Sequence, residues 1–229
     1  MSLINQLLHH ADNALILGHR NSEWTGHGPI LEQDIALSNI ALDLIGQARN
    51  FYQYAAELIG KNATEDSLAY TRNANEFKNF LLVEQENGDW GKTILRQFFF
   101  SAYQYPLYQQ MNEDERLKGI AEKSLKEVTY HLRWSSEWVI RLGQGTEESH
   151  RRMTNAINEL WSFTGELLLP AIKDQWLSRV NEILSAAGIE IPANPTMISG
   201  GPEGHHTKYL EKLLNEMQYM QRTYPGVEW

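Results

Sequence analysis

The chain has 229 residues, no cysteine and a formal net charge of −9, and 42% of its residues are hydrophobic. A chain of this length and apolar content can bury a core of its own, so we exclude an intrinsically disordered protein. Without cysteine it has no disulfide, no thiolate nucleophile and no cysteine-ligated iron–sulfur or zinc centre. A negative balance without a basic block argues against nucleic acid and anionic membranes as partners.

The chain gives no sign of a membrane or export segment. No apolar run approaches the roughly 18 residues that a membrane-spanning helix needs. The first twenty residues carry His10, Asp12 and Asn13 where a signal peptide would be apolar, so we expect no signal peptide. The lack of cysteine is compatible with a reducing compartment, and we expect a cytoplasmic protein.

The composition favours long helices. Only five residues are valine and only seven are proline, and five of the prolines lie at or after Pro170. Long proline-free stretches that are rich in Leu and Ala are typical of helices. The pattern predicts helices over residues 4–20, 30–59, 65–83, 91–111, 113–142, 146–169, 174–187 and 207–223. Gly60 is expected to end the second helix, and Thr146 is expected to cap the sixth.

The second predicted helix carries two adjacent apolar rows, which predict a wide buried face. One row comprises Leu31, Ile35, Leu42, Ile45, Tyr52, Ala56 and Ile59, and the other comprises Ile30, Leu37, Ala41, Leu44, Ala48, Phe51, Ala55 and Leu58. Long helices joined by short turns pack as an up-down bundle. We therefore predict one all-α domain over residues 1–229 with six to eight helices. Its core bundle would span about 4–169, with further C-terminal helices and a loop over about 170–229.

Such a bundle can hold two irons when two helices each supply a Glu and two more each supply Glu-x-x-His. The sequence contains two acid-x-x-His matches, Glu147–His150 and Glu203–His206. The first lies in the opening turn of a predicted helix, where acids offset the helix dipole. The second lies in a loop rich in Pro and Gly. Helix-end chemistry at the surface accounts for both, and we expect neither to bind metal.

Polar residues inside the predicted helices fit a network better than a metal centre. Asp43 and Gln47 share a face of the second helix, and Glu127 and His131 stand four residues apart in the fifth. Three residues before His131, where a metal motif would place Glu, the chain has Val128. Buried polar groups pair with one another, and a site without most of its carboxylates cannot neutralise two irons. We expect Asp43, Gln47, Glu127 and His131 to form a core polar network.

Four stretches carry a family resemblance across nearly the whole chain. They are EWTGHGPILEQDIALSNIALDLIGQARNFYQYAAEL from Glu23, LLVEQENGDWGKTILRQ from Leu81, KEVTYHLRW from Lys126 and HTKYLEKLLNEMQYMQR from His206. With these the chain resembles the PaaC family of bacterial phenylacetyl-CoA 1,2-epoxidases. The resemblance implies a ferritin-like bundle. It also implies a related catalytic subunit whose di-iron site inserts one oxygen atom from O₂ into the aromatic ring of the thioester. A PaaC-type chain would be the non-catalytic structural partner.

The resemblance also implies which positions of this chain match the metal ligands of the catalytic subunit. These vestigial positions are Ala14, Leu44, Gln47, Gln97, Val128 and His131. Only His131 keeps the ligand's residue type. The resemblance therefore implies that this chain has no catalytic or metal-binding residue, and that the di-iron cofactor resides in the partner.

The resemblance implies a hetero-oligomer with the di-iron oxygenase subunit, while a homodimer and phenylacetyl-CoA at the interface stay open. Aromatic residues beside Pro106 are either the edge of the core or part of an interface; they are Tyr103, Tyr105 and Tyr108. A candidate substrate-CoA edge lies where two predicted helices join, and it comprises Glu76, Phe77, Lys78 and Asn79. Lys78 either meets a CoA phosphate or is a solvated surface lysine.

Two other functions compete with the structural subunit. In one, the chain is itself an active di-iron oxygenase or oxidase built from Asp43, Glu127, His131 and Glu159, with a further carboxylate from a neighbouring helix. In the other, it is a homo-oligomeric binding protein without an oxygenase partner. The metal content separates the first from the structural role, and co-elution with the catalytic subunit separates the second.

Overall fold

The computed structural model describes residues 2–112, 114–193 and 195–227. Over these ranges the chain forms ten α-helices and three short 3-10 helices, with no β-strand. The helices are α1 Leu3–Ser22, α2 Leu31–Ile59, α3 Glu65–Tyr70, α4 Leu81–Glu84, α5 Trp90–Gln110, α6 Glu115–Gln144, α7 Glu147–Leu160, α8 Lys173–Ala187, α9 Lys208–Met217 and α10 Tyr219–Thr223. The all-α prediction is confirmed. None of the described helices has the length and apolar character needed to cross a membrane.

The four long helices α1, α2, α5 and α6 make the core. Helix α1 packs along α2, α5 packs along α6, and α2 meets α6. Their inward residues are fully buried and include Ile16, Leu44, Phe51, Phe98 and Val128. Helices α7 and α8 pack against α5 and α6, whereas α9 packs against α4. The long helices thus surround a hydrocarbon interior, and the later helices cover its outside.

Local chemistry fixes the ends of the long helices. The backbone N–H of Leu117 donates to the Asp114 carboxylate over 2.8 Å, which caps α6. Gly60 ends α2 with a φ of +66°, a conformation that glycine adopts without steric cost. Thr146 caps α7 as predicted and accepts from the Ser149 N–H over 3.1 Å. The predicted start of the fifth helix, Glu113, lies outside the described residues.

The predicted helix over 65–83 is wrong. The structure has α3, a 3-10 helix over Ala74–Glu76 and the short α4 in its place. Tertiary hydrogen bonds pull this segment off a helical path, since the Lys78 N–H donates to Asp12 over 2.7 Å and the Phe80 N–H donates to the Asn13 side chain over 2.9 Å. Contacts with a distant helix therefore override local propensity.

One further predicted helix ends early, and another is interrupted. The one over 146–169 stops at Leu160 and continues as 3-10 helices over Trp161–Phe163 and Gly165–Leu167. The one over 207–223 breaks at Gln218, which separates α9 from α10. The buried amide of Gln218 donates to the carbonyls of Ala69 and Arg72, so it anchors the C-terminal helices to the turn after α3.

The predicted wide buried face of α2 is correct for only part of its length. Leu44 and Phe51 of the second row are fully buried, as are most of their row neighbours. In the first row, Leu31 is 71% exposed, Ile35 is 52% exposed and Leu42 is 66% exposed. At 3.6 residues per turn these three side chains fall within about 40° of one another. They form an exposed apolar stripe, which we call the α2 stripe.

Asp12 links α1 to three other parts of the chain. Its side chain is fully buried and is paired with the guanidinium of Arg72, which also lies over the Phe77 ring at 4.2 Å. The Tyr52 hydroxyl of α2 donates to Asp12 over 2.5 Å, and the Lys78 N–H donates to its other oxygen. The carboxylate therefore has a full set of donors, as a buried charge requires.

Replacing Arg72 with Met should destabilise the fold severely, because it leaves the buried Asp12 charge without its counter-ion. We expect a loss of about 3–5 kcal/mol in the free energy of unfolding, measured by urea denaturation and circular dichroism. The matched control is Arg116→Met, which breaks the exposed ion pair with Glu57 and should cost less than about 1 kcal/mol. Equal losses for the two variants would contradict the role given to Asp12.

Candidate functional site

The six vestigial positions are distributed over all four core helices. Ala14 lies on α1, Leu44 and Gln47 on α2, Gln97 on α5, and Val128 and His131 on α6. Every one of these side chains is buried, with at most 1% of the residue exposed. The positions face the interior of the bundle, where a carboxylate-bridged metal pair sits in ferritin-like proteins.

The side chains at these positions do not fit a di-iron centre. Ala14, Leu44 and Val128 offer only hydrocarbon, and all three belong to the hydrophobic core cluster. Gln47 and Gln97 offer neutral amides, which cannot neutralise ferrous or ferric iron. Across the residues that the structure describes, no three or more His, Asp or Glu side chains are grouped so as to hold a metal ion.

His131 is bound to a carboxylate from the neighbouring helix. Its Nε2 lies 2.9 Å from an Asp43 oxygen, so Nε2–H donates and joins α6 to α2. Its Nδ1 is buried and has no hydrogen-bond partner among the described residues. The Asp43 side chain is partly exposed, which places this pair where the core meets the surface.

Gln47 and Glu127 form a second cross-link between the same helices. The Gln47 amide donates to Glu127 over 2.9 Å, and the Gln47 carbonyl accepts from Gln104 of α5 over 3.2 Å. Gln104 also donates to the Tyr108 hydroxyl over 3.0 Å. The pKa of Glu127 lies above its usual value, mainly because the residue is partly buried. The Gln47 hydrogen bond opposes this rise, and the charge of Asp43 adds to it.

The predicted network thus consists of two adjacent pairs, Asp43–His131 and Gln47–Glu127, with no hydrogen bond between the pairs. Gln97 belongs to a separate chain of hydrogen bonds, in which Asn21 of α1 donates to Gln97 and Gln97 donates to Ser101. Gln104 is absent from the predicted network, and its i, i+4 spacing to Tyr108 within an apolar run is the sequence signal that points to it. These groups join helices and expose no nucleophile.

Glu159 does not join this set. It lies on the surface of α7, where its carboxylate pairs with Lys92 over 2.8 Å. Glu159 therefore cannot serve as a ligand in the alternative di-iron site that was built from Asp43, Glu127, His131 and Glu159.

The two acid-x-x-His matches have different roles. His150 lies near the start of α7, and its Nδ1 donates to the Gly143 carbonyl over 2.8 Å. The surface interpretation of His206 is wrong, because its side chain is buried against the fully buried Glu84. Both His206 ring nitrogens face oxygens, of Glu84 at 2.8 Å and of Phe77 at 3.0 Å. Burial lowers the pKa of His206, but these hydrogen bonds raise it above its usual value overall.

The candidate substrate-CoA edge is mostly inside the protein. Phe77 and Asn79 are fully buried, and the Asn79 amide donates to Glu84 over 3.0 Å. Only Glu76 and Lys78 keep accessible side chains, and Glu76 accepts the Asn73 N–H. Phe77 and Asn79 therefore serve the core, and contact with substrate stays a prediction for the accessible Glu76 and Lys78.

Two of the three aromatic residues beside Pro106 belong to the core. Tyr103 and Tyr108 are buried, while Tyr105 is half-buried at its margin. Of the two predicted alternatives, core or interface, Tyr103 and Tyr108 therefore belong to the core.

Comparison with known proteins assigns this bundle to a family. The sequence model of the family described as "Phenylacetic acid catabolic protein" matches residues 1–174 and 169–229. The chain belongs to this family, whose members have a ferritin-like helical fold. It is 44% identical over 237 aligned positions to the C subunit of the 1,2-phenylacetyl-CoA epoxidase of Escherichia coli (strain K12), and the alignment covers 95% of each chain.

Restoring a single acid at the centre should not create a metal site. We expect Val128→Glu to bind no iron, since Leu44 and Gln47 still offer no ligand. The buried carboxylate should also lower the free energy of unfolding by several kcal/mol. The measurements are iron content after anaerobic Fe(II) loading and urea denaturation, with Val128→Gln as the neutral control. Two irons per Val128→Glu chain would refute this prediction.

Proposed function

We propose that this chain is the non-catalytic structural subunit of a multicomponent phenylacetyl-CoA 1,2-epoxidase in aerobic phenylacetate degradation. It would bind and stabilise the di-iron catalytic subunit and hold no cofactor itself. The supporting observation is the bundle interior, where hydrocarbon and amide side chains occupy five of the six positions that match metal ligands and only His131 keeps a ligand's residue type. The likeness to an epoxidase subunit from Escherichia coli supports the choice of complex. The absence of cysteine supports a cytoplasmic location.

The α2 stripe is the surface that we assign to the catalytic subunit. Single exposed leucines are ordinary, but three large aliphatic side chains aligned on one helix form a patch of the kind that marks an interface. The stripe lies on the outer face of α2, the helix that also carries Leu44, Gln47 and Asp43. Its occupant would be a second bundle that presents an apolar helix face. A second copy of this chain is the competing occupant.

Co-expression with the catalytic subunit tests both the function and the surface. We expect the wild-type chains to co-elute in size-exclusion chromatography. The double variant Leu31→Glu/Leu42→Glu should weaken the complex at least about tenfold, because two charges must then be buried against an apolar partner. The matched control is Leu58→Glu, which lies about 160° around α2 from Leu42 and is 44% exposed. This control should leave the affinity unchanged.

The outcomes separate the two claims. If the wild-type chains fail to co-elute, the structural-subunit function is wrong. If they co-elute and the double variant binds as tightly as wild type, the function stands and the assigned surface is wrong. Light scattering on the isolated chain tests for a homodimer. If the wild-type chain is a dimer and the double variant is a monomer, the α2 stripe binds a second copy of this chain.

A further inference from the structure

A cavity of about 660 Å³ lies beside the N-terminal half of α1, next to Gln6, His9 and His10. Asn21, which donates a hydrogen bond to Gln97 of α5, lies near the other end of that helix. The cavity walls come from α1, from the C-terminal half of α5, and from the loops around residues 166–171 and 199–203. The volume falls in the range of small-molecule sites, which are mostly apolar with a few polar groups. Neither the proposed subunit role nor the vestigial positions account for it.

His10 supplies an unused hydrogen-bonding group in this cavity. The residue is buried, and its ring contacts His9 and Phe51. Neither ring nitrogen bonds to another described residue. Burial, with a smaller effect from the neighbouring His9, lowers the pKa of His10 to about 3, so the ring is neutral and offers one donor and one acceptor. The adjacent His9 is already engaged, because its Nδ1 donates to the Lys78 carbonyl over 2.6 Å.

A second unmet polar group lies on the α5 wall. Tyr103 lines the cavity, and its buried hydroxyl has no partner among the described residues. Burial raises the pKa of Tyr103 well above its usual value, so this hydroxyl is also neutral. Phe80 packs edge-on against Tyr103 at 5.1 Å between ring centroids, which gives the wall an aromatic surface.

The charge of the lining selects against anions. Its described residues include two carboxylates, Glu166 and Glu203, and no lysine or arginine. Glu166 accepts the backbone N–H groups of Leu81, Gly200 and Gly201 over 2.7–2.9 Å, so it holds the loops in place and is not free to bind a ligand. A carboxylate ligand would find no counter-ion here, whereas a neutral ligand needs only a hydrogen-bond partner.

We propose that this cavity binds an uncharged aromatic molecule that carries one amide or hydroxyl group. The ring would lie against Phe80 and Tyr103, and the polar group would meet the free imidazole of His10. This inference does not depend on the subunit role, because every contact it uses lies within this chain.

Calorimetric titration of the full chain with phenylacetamide tests the site, and phenylacetate is the charged comparator of matched shape. We expect saturable one-site binding of phenylacetamide and at least about tenfold weaker binding of phenylacetate, because the lining has no cation. No saturable phenylacetamide binding up to its solubility limit would overturn the proposal. So would equal affinities for the two molecules.

Variants locate the site. His10→Phe should weaken phenylacetamide binding about three- to tenfold, the effect of one lost neutral hydrogen bond, and His10→Gln should restore part of the affinity. The matched control is His19→Phe on the same helix, outside the cavity lining, which should leave binding unchanged. Leu107→Trp, on α5, should abolish binding by filling the space. Circular dichroism melts check that each variant folds, and unchanged binding by a folded Leu107→Trp variant would overturn the assignment.

Discussion

A charge inside a helical bundle is costly unless a counter-ion or a set of donors surrounds it. This constraint governs where polar groups occur in the protein. The fully buried carboxylate of Asp12 is paired with the Arg72 guanidinium, that of Glu84 is paired with the His206 imidazole, and both accept backbone N–H groups. Both lie where separate segments meet. Of the six central positions that match metal ligands, five carry hydrocarbon or amide side chains, which need no ion to neutralise them, and the sixth, His131, is paired with Asp43.

The same constraint explains the link between the vestigial positions and the proposed role. A di-iron centre stabilises the carboxylates that bind it, and those carboxylates repel one another without the metal. A bundle with hydrocarbon and amide side chains at these positions has no such repulsion. Ala14, Leu44 and Val128 pack as core, while Gln47 and Gln97 join helices through hydrogen bonds. We expect such a bundle to be stable without a metal, which fits the proposed structural role.

Apolar periodicity and end signals were sufficient to predict the long helices, because α1, α5 and α6 begin at capping side chains and α2 ends at Gly60. The break after α3 was not predictable locally, since it depends on Asp12, sixty residues before Arg72 in the chain. Periodicity also could not tell that Leu31 and Leu42 face outward, because an exposed apolar row and a core-facing row have the same pattern.

The candidate site was predictable to a similar degree. The spacing of Asp43, Gln47, Glu127 and His131 placed them on facing helices, but it could not divide them into two pairs. The burial of His206 against Glu84 and the cavity beside His10 depend on how the C-terminal loop returns over α1 and α4. Contacts of that range leave no local signal in the sequence.

The iron content of the isolated wild-type chain tests directly whether its helical bundle holds a di-iron site. The purified chain would be loaded anaerobically with Fe(II), freed of unbound metal and measured by mass spectrometry, beside the catalytic subunit treated in the same way. We expect about two irons on the catalytic subunit, the number in a di-iron site, and a negligible amount on this chain. About two tightly bound irons on this chain would contradict this prediction.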